Sequence, residues 1–367
     1  MSAPDPAPLD PTAEQVQLRD AVRAVLARHP GHTAWDPLTA QVGAAALAVP
    51  AEYGGLGCGP AETGVVMAEL GRALSPVPYL GSAVLTVGAL LAAGDRRACE
   101  EHLPGLAEGS AVGALAWAEE PEGGGGRGSW EAADLRARAE SDGRSGWLLT
   151  GVKRYVPAGP AEPSLVLAFA RDGDTGRLGL YELTAAPAGF TVRSTMDPTR
   201  PLAELTLDRT PARLLSAHGE AVLDRVRDEA CAALAAEQAG AAGRALEVTV
   251  RYAKDRRQFG RPIGSFQAVK HRLADMHTAV ETSRALALAA AAAGAPPELA
   301  AAARSACSQA YAYVAGEMIQ LHGGIGITWE HEAHAFFKRA HGSGQLFGAP
   351  GAHRERLAAM LGFAPPP

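Results

Sequence analysis

Residues 251–271 read RYAKDRRQFGRPIGSFQAVKH. Apolar periodicity upstream carries a helix to about Lys254, and Gly260, Pro262 and Gly264 interrupt it before a second helix begins. Arg256, Arg257, Gln258 and Phe259 therefore sit on a turn between two helices. Guanidinium groups there can grip a diphosphate bidentately, Gln258 can add an amide contact, and Phe259 can stack on an adenine or a ribose. The competing reading is a loop whose arginines meet surface carboxylates, an arrangement that contributes little.

Working outward, helical periodicity runs from Ala221 to about Leu361, with breaks near 260–264, 294–297 and 323–326. Helices of that length suit a bundle rather than a mixed domain. The last break, QLHGGIGITWEHE at 320–332, holds Gly323, Gly324 and Gly326, which allow close backbone approach and offer N–H donors to an anion. No strand precedes it, so it is neither a P-loop nor a dinucleotide fingerprint. From about 110 to 216 the texture changes to short alternating runs at 146–149, 164–169, 178–183, 190–193 and 203–207, separated by Gly, Asp and Pro. This stretch reads as an antiparallel β domain. Upstream, from Pro11 to about 109, the pattern is helical again. Thr12 is the cap of a first helix whose apolar face includes Val16, Leu18, Val22, Val25 and Leu26. The three domains are expected at 1–109, 110–216 and 217–367. EGGGGRG at 122–128 reads as a mobile loop at the entry to the β domain.

The 367 residues are 20% charged and 47% hydrophobic with a net charge of −6, which excludes disorder as the main state and disfavours nucleic-acid binding. Of the 34 basic residues only four are lysines, and 78 residues are alanine. That skew reflects genome composition and is discounted as functional evidence. Cys58, Cys99, Cys231 and Cys307 form no CxxC pair and no metal set with histidine, so no metal site is expected and a reduced cytoplasmic setting is. His322, His331 and His334 lack a complete ligand set and read as surface or hydrogen-bonded histidines. The first thirty residues carry acidic groups and prolines where a signal peptide needs basic and apolar ones. Pro296, Pro297 and Glu298 break the Ala-rich stretch 285–303, so no membrane span is expected.

YAKDRRQFGRPIGSFQAVKHRLADM and MIQLHGGIGITWEHEAHAFFKRA resemble the C-terminal signatures of the acyl-CoA dehydrogenase family. Weaker similarity runs through AVPAEYGGLG, ALAWAEEPEG, WLLTGVKRYVP and DPTRPLAELTL, so that the resemblance spans essentially the whole chain. It implies a mainly α fold with a central β domain: an N-terminal helical domain, a middle antiparallel β domain and a C-terminal four-helix bundle. It also implies FAD shared across a subunit interface, hence a homodimer or homotetramer, or a heterotetramer with a homologous subunit. On this resemblance Arg256, Gln258 and Phe259 face the FAD diphosphate and adenine, Gln320, Gly323, Gly324 and Gly326 approach the cofactor from the neighbouring subunit, and Tyr155 flanks the isoalloxazine.

The family reaction is α,β-desaturation of an acyl thioester, carried by CoA or a carrier protein. A glutamate takes the α-proton, a hydride passes to flavin, and electrons then usually go to an electron-transfer flavoprotein. In many members the glutamate lies about nine residues beyond an Arg after the last long helix; counting from Arg339 gives Gly348, without a carboxylate. The other family position, about 26 residues before Arg256, lands on Ala230, beside Glu229. Glu237 lies seven residues further along, on nearly the same helix face. Glu229, with Glu237 as runner-up, is the candidate base, and a chain with no base of its own remains open. The ring side also departs from the family: ALAWAEEPEG lacks the threonine that meets the flavin, and Pro157 stands where a hydroxyl-bearing residue is usual. Three roles follow: an autonomous dehydrogenase, a non-catalytic or half-site subunit of a heteromeric one, or a flavin-free thioester-binding protein.

Overall fold

The computed structural model describes residues 10–120, 130–159, 162–185 and 189–363. The glycine run at 122–128 lies outside the described residues. The N-terminal region is helical: α1 (Ala13–Arg28), α2 (Trp35–Val42), α3 (Pro60–Arg72), α4 (Val87–Ala93) and α5 (Arg96–Glu108). Thr12 caps α1 in a reciprocal capping box with Gln15, which satisfies two orphan backbone donors. Leu80–Thr86 forms a fully buried π-helical stretch leading into α4, a feature that apolar periodicity does not distinguish from α-helix.

The β domain contains β1 (Gly113–Ala116), β2 (Arg138–Ser141), β3 (Trp147–Pro157), β4 (Leu165–Asp172), β5 (Leu178–Leu183), β6 (Phe190–Arg193) and β7 (Leu202–Ser216). Pairings run β4–β2–β3–β7–β5 and back to β4, with β1 on β4 and β6 on β7. The sheet thus closes on itself, which removes most of the free edges that invite aggregation. Five of the seven pairings are antiparallel, whereas β1 and β2 run parallel to β4. The sequence reading marked neither short strand; β1 is buried throughout and does not alternate, and β2 is four residues with a single buried position.

Three long helices follow, α6 (Gly219–Asp255), α7 (Gln267–Ala292) and α8 (Pro297–His322), with α9 (Ala333–Ser343) and α10 (Pro350–Met360) completing the bundle. Between α6 and α7 a two-stranded hairpin pairs β8 (Arg257–Gln258) with β9 (Arg261–Pro262). The N-terminal helices lie directly on α6. A Cβ on Gly240 would stand 2.0 Å from the Ala68 carbonyl oxygen, and one on Gly71 would stand 2.1 Å from that of Glu237. Only glycine lets α3 and α6 approach so closely. No helix among the described residues is long and apolar enough to cross a membrane.

Candidate active site

The two signature segments meet at one end of the bundle. Tyr252, on the last turns of α6, stacks on His322 at 4.3 Å between ring centroids and donates its hydroxyl proton to the His322 carbonyl at 3.2 Å. Gln320, Gly323 and Gly324 are exposed beside it, and Gly326 is buried. A Cβ on Gly323 or Gly324 would meet nothing within 4 Å. The hairpin turn projects from the end of α6. Phe259 and Gly260 both have positive φ, 51° and 78°, as two-residue hairpin turns demand. This lifts Phe259 to 89% exposure. Arg256, Arg257 and Gln258 are exposed, and Arg256 has no carboxylate partner among the described residues. Ile327 and Trp329 are also exposed, at 73% and 81%. An open surface with an unpaired guanidinium and exposed apolar side chains fits an adenine diphosphate with a second protein surface over it.

Tyr155 belongs to a different constellation, between the β domain and the bundle. Its ring lies 6.2 Å from that of Trp130, which meets Trp117 edge-on at 5.5 Å and Phe347 edge-on at 5.2 Å. Trp117 stacks on Phe347 at 5.4 Å. Trp117, Trp130 and Phe347 are buried at 2%, 7% and 1% exposure. Trp117 also donates its indole N–H to the Trp130 carbonyl at 3.0 Å. Behind this wall, Glu119 accepts from Lys153 Nζ at 2.5 Å and from the backbone N–H groups of Arg136 and Ala137. Ala118, which the resemblance sets at the family's threonine position, is buried beside this ion pair and brings no hydroxyl. Aromatic side chains and this pair pack on one side of Tyr155, and on its other side a cavity of about 470 Å³ is lined by Arg154, Thr195, Leu202 and Glu204.

The loop carrying Gly348 is latched to the bundle. The buried guanidinium of Arg304 donates to the carbonyls of Ser343 at 2.8 Å and Leu346 at 2.6 Å. His353 Nε2 donates to the Phe347 carbonyl at 2.9 Å. Phe347 itself has φ 58°, and Tyr155 shares this left-handed geometry at φ 55°. Such strain persists only where surrounding contacts over-determine it.

The candidate carboxylates differ sharply. Glu237 is buried, with Arg200 donating to both of its oxygens and Arg339 donating at 3.0 Å. Arg339 also bonds Asp197 at 2.7 Å and the Thr199 carbonyl at 2.6 Å. Burial alone would raise the Glu237 pKa, yet the two guanidinium groups hold it below its ordinary value. Such a group is not poised to accept a proton near neutrality. Glu229 is about a quarter exposed, at 24%, and pairs with Arg225 at 2.7 Å. Its carboxylate lines a cavity of about 190 Å³ with Cys58, Thr63, Val84, Gly88 and Ala233. Burial raises its pKa against the pull of Arg225. The aromatic wall and the Glu237 ion-pair cluster escape sequence reading because their members come from distant segments.

Two family models match, the acyl-CoA dehydrogenase N-terminal domain over residues 12–110 and the C-terminal domain over 221–362. The chain belongs to the acyl-CoA dehydrogenase family, flavoprotein oxidoreductases that act on CH–CH bonds. It is 39% identical to acyl-CoA dehydrogenase IpdE2 of Mycobacterium tuberculosis, over 97% of this chain and all of that one. Among solved structures, a variant of the Tcur3481–Tcur3483 steroid ACAD is 31% identical with a TM-score of 0.82, covering 95% of this chain and 98% of that one. The ChsE4–ChsE5 complex from Mycobacterium tuberculosis is 26% identical with a TM-score of 0.85, covering 98% of this chain and all of that one.

Proposed function

We propose that this chain is one subunit of a heteromeric acyl-CoA dehydrogenase, presenting an adenine- and diphosphate-binding surface to an FAD whose ring lies in a homologous partner. The carrying observation is the asymmetry between its two sides. The bundle end is open, with Arg256 unpaired among the described residues and Phe259 exposed beside Phe266, while Trp117, Trp130 and Phe347 pack against one another near Tyr155, where no carboxylate stands at Gly348. Two of the structural relatives are named as paired chains, ChsE4–ChsE5 and Tcur3481–Tcur3483, in keeping with this role.

The chemistry proposed for the assembly is the family's α,β-desaturation of an acyl thioester, with FAD accepting the hydride and an electron-transfer flavoprotein as the next acceptor. In this chain Arg256 and Gln258 would hold the diphosphate, Phe259 would cover the adenine, and Gly323 and Gly324, with open space where a Cβ would stand, would let the backbone approach the cofactor closely. The glutamate that takes the α-proton comes from the partner. Glu237 acts as a structural ion here, and Gln320 supports the turn.

Co-expression with homologous chains tests this. The expected result is one FAD per pair of unlike subunits, with the lone chain colourless and inactive on acyl-CoA thioesters. A lone chain that purifies with one FAD each and bleaches with substrate would overturn it. The raised pKa and open pocket of Glu229 favour a second reading, an autonomous dehydrogenase with Glu229 as base. Loss of a lone chain's turnover in Glu229→Gln would establish that reading.

A further inference from the structure

The hairpin end of the bundle carries more positive charge than a cofactor uses. Residues 251–270 hold six basic side chains, Arg251, Lys254, Arg256, Arg257, Arg261 and Lys270, against one acid, Asp255. All seven are exposed, and none takes part in an ion pair among the described residues. Pairs begin only at the edges, where Arg244 meets Glu332 at 3.6 Å and Arg272 meets Glu317 at 3.4 Å. Arg257 donates to the Gly260 carbonyl at 3.3 Å, and Arg261 lies over the Phe266 ring at 4.1 Å. Neither contact cancels a charge. Six cations and one anion leave the strip at +5 in a chain of net −6. The arginine-rich composition does not account for this, since 34 basic residues in 367 average about two in every twenty.

Apolar side chains share the same end. Phe259 stands within the strip, and the turn held against α6 by the Tyr252–His322 stack exposes Ile327 and Trp329. That turn also brings Glu330 and Glu332, matched in number by Lys338 and Arg244, so the end stays positive. Exposed apolar side chains set among arginines have the composition of a protein interface. A diphosphate on Arg256 and Gln258 supplies about two negative charges and leaves the remainder uncompensated. A two-fold pair closed through this face would set the strip against its own copy, and like charges placed opposite each other resist assembly.

We infer that this face pairs with an unlike subunit whose opposing surface is acidic, and that its charge keeps the chain from pairing with itself there. The inference rests on the heteromeric reading above and adds the chemistry by which the two chains choose each other. Nucleic acid is the other polyanion such a strip could meet. The aliphatic Ile325 and Ile327 beside it give bases nothing to stack on and favour a protein surface.

Sedimentation of the co-purified unlike pair over a dilution series, at 50 and 500 mM NaCl, tests the inference. Its Kd is expected to rise at least tenfold at the higher salt, where exposed charges are screened beyond a few ångströms. Lys254→Gln/Lys270→Gln removes two charges that the FAD contacts do not use; it should weaken the pair at least tenfold at 50 mM NaCl and flatten the salt dependence. Lys254→Arg/Lys270→Arg should restore wild-type values, which separates charge from packing. The lone chain is expected not to pair through the strip at 50 mM NaCl. An unlike pair that binds FAD but holds the same Kd at both salts would overturn this inference alone. A lone-chain dimer at 50 mM NaCl that is lost in Lys254→Gln/Lys270→Gln would overturn it too, by showing the strip paired with itself. Binding of a labelled 20-nucleotide DNA strand by the assembled pair, lost in the same variant, would give the strip to nucleic acid. Absence of any unlike pair would overturn the heteromeric reading and this inference with it.

Discussion

Replacing Glu237 with glutamine separates a structural ion from a catalytic base. The Glu237 carboxylate joins Arg200, from the segment before β7, to Arg339 on α9. Arg339 reaches on to Asp197 and to the Ser75 carbonyl of the N-terminal region. One cluster therefore clasps all three regions of the chain. In Glu237→Gln, Arg339 keeps Asp197 at 2.7 Å, but Arg200, 8% exposed, loses its only carboxylate among the described ion pairs. Removing one partner of a buried pair costs about 3–5 kcal/mol. Spread over a chain of this size, that corresponds to a fall in melting temperature of roughly 6–10 °C at about 2 °C per kcal/mol. The assay is thermal unfolding of the native assembly at pH 7.5, followed by scanning calorimetry, with turnover measured alongside. A depressed carboxylate pKa contributes stability above its unfolded value and loses it as pH falls through the folded one. The difference between wild type and variant should therefore hold at neutrality and shrink below about pH 4.5. A variant melting within 1 °C of wild type while losing all turnover would refute the clasp and restore Glu237 as a base.

Three further outcomes follow from the same geometry. Arg256→Ala should weaken FAD retention by the assembly roughly ten- to a hundredfold, the worth of a charge-assisted hydrogen bond of about 1.5–3 kcal/mol, and leave the melting temperature unchanged; flavin absorbance after gel filtration reads it. Lys153→Met strands Glu119 in the interior and should cost about 3–5 kcal/mol, with Lys153→Met/Glu119→Gln recovering part of it; a double-mutant cycle in urea would expose the error if the pair proved additive. Burial pushes His353 down to about 3, so it stays neutral in the fold while the unfolded chain protonates near 6.5. Stability should fall as pH drops from 6.5 toward 3, by up to about 1.4 kcal/mol per unit from this group, and His353→Gln should flatten that slope in urea titrations at pH 6.5, 5.5 and 4.5.

The helical ends and the β middle were legible because each carries its own period. Thr12 marked the start of the first helix, the short runs at 178–183 and 190–193 stand where β5 and β6 are, and the glycine and proline breaks gave the helix limits of the bundle. β1 and the π-helical stretch at 80–86 were not legible, since full burial on all sides erases alternation and residues 80–86 differ from an α-helix only in hydrogen-bond register. Among the site residues, those on the Arg256–Phe259 turn and the 320–326 segment are contiguous in sequence and could be read together. The ion pair of Glu237 was invisible, because its arginines stand 37 residues before it and 102 after it. The aromatic wall joins residues 117, 130, 155 and 347 in the same way.

Gly348 stands at φ 104°, and a Cβ there would come 3.2 Å from His353 Nε2. Restoring a glutamate at this place would strain the backbone and press on the His353 ring. A carboxylate returned to the loop therefore acts against the histidine that anchors it, since His353 holds the Phe347 carbonyl. The same anchor that fixes the loop thus guards position 348 against any side chain, so that variation there is coupled to variation at His353.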